Sequence, residues 1–406
     1  MVVGERVGPR VVVASDAFKG SLTSLEVADA VRAGMLEVAP DAVVTVLPVA
    51  DGGEGTVAAA LAVDWSPVTV PVHGPTGSTV RATLAVSASR PATVLVELAD
   101  ACGLGRLPGG VPAPLTASSR GLGDALRAAL DLHPEVVVVA AGGSASTDGG
   151  AGMLVALGAR LLDASGGELP DGGAALAGLA RLDLSGLDAR LDATGLVLAA
   201  DVDNPLLGPA GAAAVYGPQK GATASEVVVL EQALTRWADV VASTGPARPS
   251  PPSSSGTPSR VRQAGAGAAG GVGFALLTVL GARRRSGVDL VLDLVGLDAA
   301  LTGDSAGWRH RADLVVTGEG SLDDQTPAGK AVAGVARRAG ARGIPVVAVC
   351  GRLALDAAAL AALGLRAAYP LSDLEPDAAR SHAEAPELVR RTGRRIAREW
   401  LSGSPA

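Results

Sequence analysis

Aromatic residues are nearly missing from this chain, at 2% of 406 residues. Their scarcity removes the stacking platforms that single-stranded nucleic acid needs. A net charge of −7 and a pI of about 5.2 likewise remove the basic footprint of a duplex binder. No nucleic-acid partner is expected. Cysteine is equally scarce: Cys102 and Cys350 cannot form a disulfide framework, and no CxxC or Cys/His cluster offers a zinc site. That usage fits a reducing compartment, most simply the cytoplasm. Residues 1–10 are too short and too polar for a secretory apolar region. Ala264–Ala282 is uncharged and precedes Arg283-Arg284-Arg285, so it imitates a membrane span. Its six glycines make it small rather than greasy, and it reads as a glycine loop leading into a buried helix. No membrane partner is expected. His73, His133, His310 and His382 are scattered and read as surface residues rather than bases or ligands.

What the chain has is glycine, alanine and short valine-rich runs. Its length suits two or three domains at about 150 residues each. Val11–Ser15, Val43–Val49, Val94–Glu97, Val136–Ala140, Leu196–Ala200, Leu314–Thr317 and Pro345–Val349 read as strands buried on both faces. Each precedes a turn and an Ala-rich periodic segment. Thr23-Ser24-Leu25-Glu26 fits a capping box opening a helix to about Leu36. Thr326-Pro327 predicts a second helix start ahead of Ala328–Ala339. This alternation is the signature of an α/β fold with mainly parallel sheets. The Pro/Ser-rich stretch 245–263 cannot bury enough apolar surface to order itself and is expected as a flexible insertion. Residues 303–311 read as a shorter irregular insert.

Ligands of such sheets sit beyond the carboxyl ends of the strands. Five candidate loops there share one chemistry: Ser15–Ser21, Ala50–Thr56, Gly142–Gly150, Asp201–Pro205 and Thr317–Thr326. Glycines before a helix expose backbone N–H groups to an anion. The carboxylates among them would repel a phosphate unless a hard cation such as Mg²⁺ lies between. Lysine is rare, because most basic residues are arginine, yet Lys19, Lys220 and Lys330 stand in turns or at helix starts. Acidic glycine loops with isolated lysines point to an ATP- and Mg²⁺-dependent phosphotransferase. The GxGxxG match at Gly265–Gly270 lacks the preceding strand of a dinucleotide site, and no GxxxxGK[ST] loop occurs.

Together these blocks resemble the type-1 glycerate kinases. SDAFKGSLTSLEVADA (Ser15–Ala30), LPVADGGEGT (Leu47–Thr56), GPTG (Gly74–Gly77), GGSASTDGGAGML (Gly142–Leu154), DVDNPLLGPAGAAAVYGPQKGA (Asp201–Ala222), GAGAAGGVGFAL (Gly265–Leu276) and VVTGEGSLDDQTPAGKAVAGVA (Val315–Ala336) carry the resemblance and span nearly the whole chain. Thr147-Asp148 stands where that family usually has Asn-Asp. Ala264 stands where a proline usually precedes the GAGAAGG block.

The resemblance implies a Rossmann-like outer domain, 1–71 with 287–406, and an inserted flavodoxin-like domain, 72–286, with the active site in the cleft between them. It implies ATP- and Mg²⁺-dependent phosphorylation of D-glycerate, with 2-phosphoglycerate favoured over 3-phosphoglycerate. Asp16, Lys19, Asp148 and Lys330 are the expected catalytic residues. Asp16 or Asp148 would take the hydroxyl proton, and the lysines would neutralise phosphoryl or carboxylate charge. Gly52, Gly53, Gly143, Ser144, Gly318, Gly320 and Thr326 are the expected nucleotide contacts, and Asp51, Glu319 and Asp323 the expected Mg²⁺ ligands. A homodimer is left open. The alternatives are a kinase of another small hydroxy acid and a non-catalytic metabolite-binding regulator.

Overall fold

A computed structural model of the chain describes residues 8–87, 89, 91–245, 247–248, 260–303, 311–328 and 330–402. Most of the expected insertion 245–263, and nearly all of 303–311, lies outside them. The described part of the former ends in a short 3-10 turn, Arg260–Arg262. The strands are β1 (Arg10–Ser15), β2 (Val43–Pro48), β3 (Ser66–His73), β4 (Thr79–Ser87), β5 (Thr93–Glu97), β6 (Val136–Ala140), β7 (Arg160–Leu162), β8 (Arg181–Asp183), β9 (Gly195–Ala199), β10 (Arg283–Arg285), β11 (Leu314–Leu322), β12 (Val346–Leu353) and β13 (Ala367–Pro370). The fold is α/β with mostly parallel sheets, as the strand–turn–helix alternation predicts.

The chain divides into two compact units. The first spans Met1–Asp51, Ala58–Val63 and Val288–Ala406, and the second Gly52–Val57 and Asp64–Gly287. The first unit holds a five-stranded sheet of order β13-β12-β11-β1-β2, parallel throughout. Successive residues of β1 point to opposite faces. Val12 and Ala14 join one apolar cluster, with Val291 and Val335, while Val11 and Val13 join another, with Val31, Met35 and Ile396. Each such buried valine or leucine stabilises the unit by about 1.5–3 kcal/mol. The helix Ser24–Leu36 begins at the predicted capping box, with Thr23 N donating to Glu26 Oε2 (2.8 Å) and Glu26 N to Thr23 Oγ1 (3.3 Å).

From β1 the chain steps outward to β2. From β11 it steps the opposite way, through β12 to β13. The order therefore reverses between β1 and β11, and a sheet of this kind opens a crevice at that point.

The second unit holds a six-stranded sheet of order β10-β9-β6-β5-β4-β3 and a two-stranded β7-β8 ribbon. Strands β5, β6, β9 and β10 run parallel, whereas β3 and β4 form an antiparallel edge. The helix Ala268–Thr278 is buried almost throughout, as the glycine-rich sequence predicts. No helix among the described residues is long and apolar enough to cross a membrane.

The second predicted helix start needs correction. Thr326–Ala328 is a 3-10 turn, and the helix proper is Ala331–Gly340, with Lys330 at its N-cap. The Thr326 hydroxyl cannot cap it because Glu319 Oε1 accepts its proton and Asp323 N donates to its oxygen (3.0 Å).

Candidate active site

At the β1/β11 reversal the carboxyl ends of the first unit's strands deliver acidic and basic side chains to one edge. Asp16 follows β1 directly, and its N–H donates to Gly318 O of β11 (2.9 Å). Its Oδ1 accepts from Ala17 N (2.7 Å). Its acidity is weakened to a pKa of about 7, chiefly by burial and then by the Asp51 charge, with Glu319 adding to the effect and Lys19 opposing it. Asp16 thus feels carboxylates from the ends of β2 and β11.

Glu319 is buried inside β11. Burial raises its pKa, and Thr326 and Lys330 counter that rise. Lys330 Nζ lies 3.2 Å from Glu319 Oε2 and 3.4 Å from Asp323 Oδ1, so one ammonium bridges two carboxylates. Asp323 is held below its ordinary value, first by the Gln325 N–H. Lys19 is exposed. Asp16, Asp51, Glu319 and Asp323 outnumber Lys19 and Lys330 by two negative charges. Such a donor set fits a divalent cation. No three His, Cys, Asp or Glu side chains among the described residues already form a metal cage. Mg²⁺ commonly takes one or two carboxylates plus phosphate oxygens and water, so a ready-made cage is not required.

The glycines of this edge divide by environment. A Cβ on Gly318 would lie 2.4 Å from Val349 O, so that glycine lets β11 and β12 close together. A Cβ on Gly320 would meet nothing nearer than 3.7 Å, and Gly320 lines a cavity of this unit. Thr326 is fully buried and its hydroxyl is spent on Glu319. Gly318 and Thr326, expected as nucleotide contacts, are thus engaged within the protein.

The second unit holds the remaining expected residues. Asp148 is fully buried: its Oδ2 accepts from Ser119 N (2.8 Å), Ser119 Oγ (2.8 Å) and Gly152 N (3.2 Å), and its Oδ1 from Gly150 N (3.2 Å). Burial raises its pKa. Four donors around a carboxylate without exposed surface make it an anchor of the 143–152 loop. Ser144 Oγ accepts from Lys220 Nζ (2.7 Å), which also donates to Ser146 O. Burial lowers the Lys220 pKa to about 8.

The GAGAAGG block packs on this loop. Gly270 has φ +68°, and a Cβ there would stand 2.1 Å from Ser146 O. Gly53 and Gly142 also pack closely, since a Cβ on Gly142 would lie 2.5 Å from Gly53 Cα. Gly52 and Gly143 have φ of +81° and +69°, a region glycine enters without strain.

Three residues escape the sequence reading. Glu97 ends β5 and accepts from Gly55 N (3.1 Å) and Val57 N (3.0 Å), with burial raising its pKa to about 7. Arg352 and His382 line a cavity of about 260 Å³ in the first unit, together with Lys19 and Gly320. Nothing in the sequence joins Arg352 or His382 to Lys19.

Parallel strands with acidic, lysine-bearing loops at their carboxyl ends define an α/β enzyme of the kinase class. The chain belongs to the glycerate kinase family, whose model matches residues 11–401. It is 41% identical to a glycerate kinase of Bacillus subtilis (strain 168), over 96% of this chain and 97% of that protein. It is 38% identical to a glycerate 2-kinase of Escherichia coli (strain K12), over 89% of this chain and 90% of that protein. A crystal structure from Salmonella typhimurium LT2, provisionally named glycerate kinase 2, matches with a TM-score of 0.78 and 41% identity, over 98% of this chain and 99% of that one.

Proposed function

We propose that this enzyme transfers the γ-phosphoryl group of ATP to a hydroxyl of D-glycerate with Mg²⁺, giving 2-phosphoglycerate. The observation that carries the reading is the acidic cluster of Asp16, Asp51 and Glu319 with Lys330 at the β1/β11 reversal. The name of the Escherichia coli relative, glycerate 2-kinase, supports the position of transfer.

Asp16 is the base. A pKa of about 7 suits a group that must lose and regain a proton near neutral pH. No hydrogen bond among the described residues occupies its Oδ2, which takes the proton of the attacking hydroxyl. The new O–P bond forms as the bond from the γ-phosphorus to the bridging oxygen breaks, and that oxygen leaves with ADP. Lys330 holds Glu319 and Asp323 in place, and Lys19 neutralises charge on the exposed side. Asp51 and Glu319, with Asp323 beside them, would hold Mg²⁺. When bound, the ion neutralises the phosphoryl oxygens and orients them. In the second unit, the backbone at Gly52, Gly53 and Gly143 would offer N–H groups to phosphate oxygens. Asp148 anchors the 143–152 loop, and Ser144 ties it to Lys220. Buried, free thiols at Cys102 and Cys350 support a cytoplasmic setting.

ADP release from ATP, Mg²⁺ and D-glycerate by the purified protein tests the reading. Turnover should require D-glycerate and vanish with EDTA. ADP release no faster than the glycerate-free blank, from folded protein, would overturn it.

A further inference from the structure

The 260 Å³ cavity of the first unit is lined by the segments following β1 and β13 and by residues near the carboxyl ends of β11 and β12. Its volume falls below the 300–1,000 Å³ range of sites that enclose drug-sized ligands, so it suits a three-carbon acid better than a nucleotide. The titratable groups facing it are Lys19, Arg352, Glu375 and His382. Glu375 is turned to its own turn, where Oε1 accepts from Asp377 N (3.0 Å). The side chains of Lys19 and Arg352 have no hydrogen bond or ion pair among the described residues, whereas Arg338 meets Asp289, Asp293 and Asp298, and Arg394 meets Glu37 and Glu387. The ring of His382 stands close against Gly20, where an added Cβ would be 3.2 Å from Cε1. Two unpaired cations and a histidine around a small hollow recognise one compact anion. A guanidinium fork matches a carboxylate by two parallel hydrogen bonds.

We propose that this cavity is the acceptor subsite, in which Arg352 and Lys19 hold the carboxylate of the hydroxy acid and His382 closes its rim. The proposal rests on the phosphotransfer reading and adds the residues that select an acid over a neutral polyol. Of this lining, Gly320 follows Glu319 within β11, and Lys19 lies in the segment after β1 that carries Asp16. The bound acid therefore lies at the same sheet edge as the base.

The test combines kinetics and calorimetry on wild type, Arg352→Ala and Arg352→Lys. Arg352 is exposed and unpaired, so both variants should fold, which circular dichroism checks. Loss of a charge-assisted contact should raise the D-glycerate KM by about 10- to 100-fold in Arg352→Ala. The ATP KM should stay within about 3-fold, and Arg352→Lys should fall between wild type and Arg352→Ala because it keeps the charge and loses the fork. An unchanged D-glycerate KM, or a rise confined to ATP, would overturn the subsite. Calorimetric titration of D-glycerate separates this from failure of the kinase reading. Arg352-dependent binding without turnover would sink the phosphotransfer reading and keep the subsite. Equal binding to wild type and Arg352→Ala, or none to wild type, would sink the subsite itself.

Discussion

Asp16→Asn and Asp148→Asn should separate catalysis from architecture. Both replace an aspartate in a loop expected from the sequence to touch substrate, but their surroundings differ. Asp148 is enclosed by four donors, three on Oδ2 and one on Oδ1. An asparagine placing its oxygen at the Oδ2 position keeps three of these contacts and turns its NH₂ against the Gly150 N–H. The lost charge-assisted bond costs about 1.5–3 kcal/mol, and the opposed donors add to it. Relief of the buried charge offsets part of that, leaving about 2–4 kcal/mol. For a unit of this size each kcal/mol moves Tm by about 2–4 °C, so Tm should fall by roughly 5–15 °C. The kcat of the folded fraction should stay within about 10-fold of wild type. Asp16→Asn should do the reverse. Removing a charge that Asp51 and Glu319 repel leaves Tm unchanged or slightly raised, while kcat falls by about 10²–10⁴. Differential scanning calorimetry beside steady-state ADP release reads both. An Asp148→Asn variant with unaltered Tm and a thousandfold lower kcat would refute the division of roles.

Glu97 gives a pH signature. Its folded pKa of about 7 stands above its ordinary 4.5, so its contribution to stability is full below pH 4.5 and is lost as pH rises through 7, by about 3 kcal/mol. Glu97→Gln should flatten the fall of Tm between pH 5 and 8, and an unchanged pH–Tm curve would contradict this. Lys330→Ala leaves the Glu319 and Asp323 carboxylates without their shared ammonium; kcat/KM should drop by about 10²–10³ in the coupled assay, and wild-type values would argue against Lys330. Gly270→Ala forces a Cβ to 2.1 Å from Ser146 O at φ +68° and should abolish soluble expression or lower Tm by more than about 10 °C. A soluble variant melting with wild type would contradict the packing of that block.

The central strands were legible because burial on both faces leaves continuous valine runs. Val136–Ala140 matches β6 residue for residue; Val43–Val49 matches β2 to within one, but β2 is an edge strand with Val43 exposed rather than buried on both faces. Strands β3 and β4 were not, because an antiparallel edge alternates exposed and buried residues, and Pro67 and Pro71 interrupt β3. The acidic glycine loops were legible as punctuation after strands. What the sequence hid is depth. Asp148 and Asp51 both sit beside paired glycines, yet Asp148 is sealed beneath its loop. Thr326 read as a helix cap because Pro327 follows it, and only the fold brings Glu319 to its hydroxyl. Arg352 and His382 lie far along the chain from Lys19 and carry no local motif, so their shared cavity exists only in three dimensions.

The most direct measurement of the central claim couples the product of ATP, Mg²⁺ and D-glycerate to enolase, with and without phosphoglycerate mutase. The account predicts a signal without mutase in wild type that Asp16→Asn loses while remaining folded. No phosphoglycerate from folded wild type in either arm, or full activity in Asp16→Asn, would contradict it.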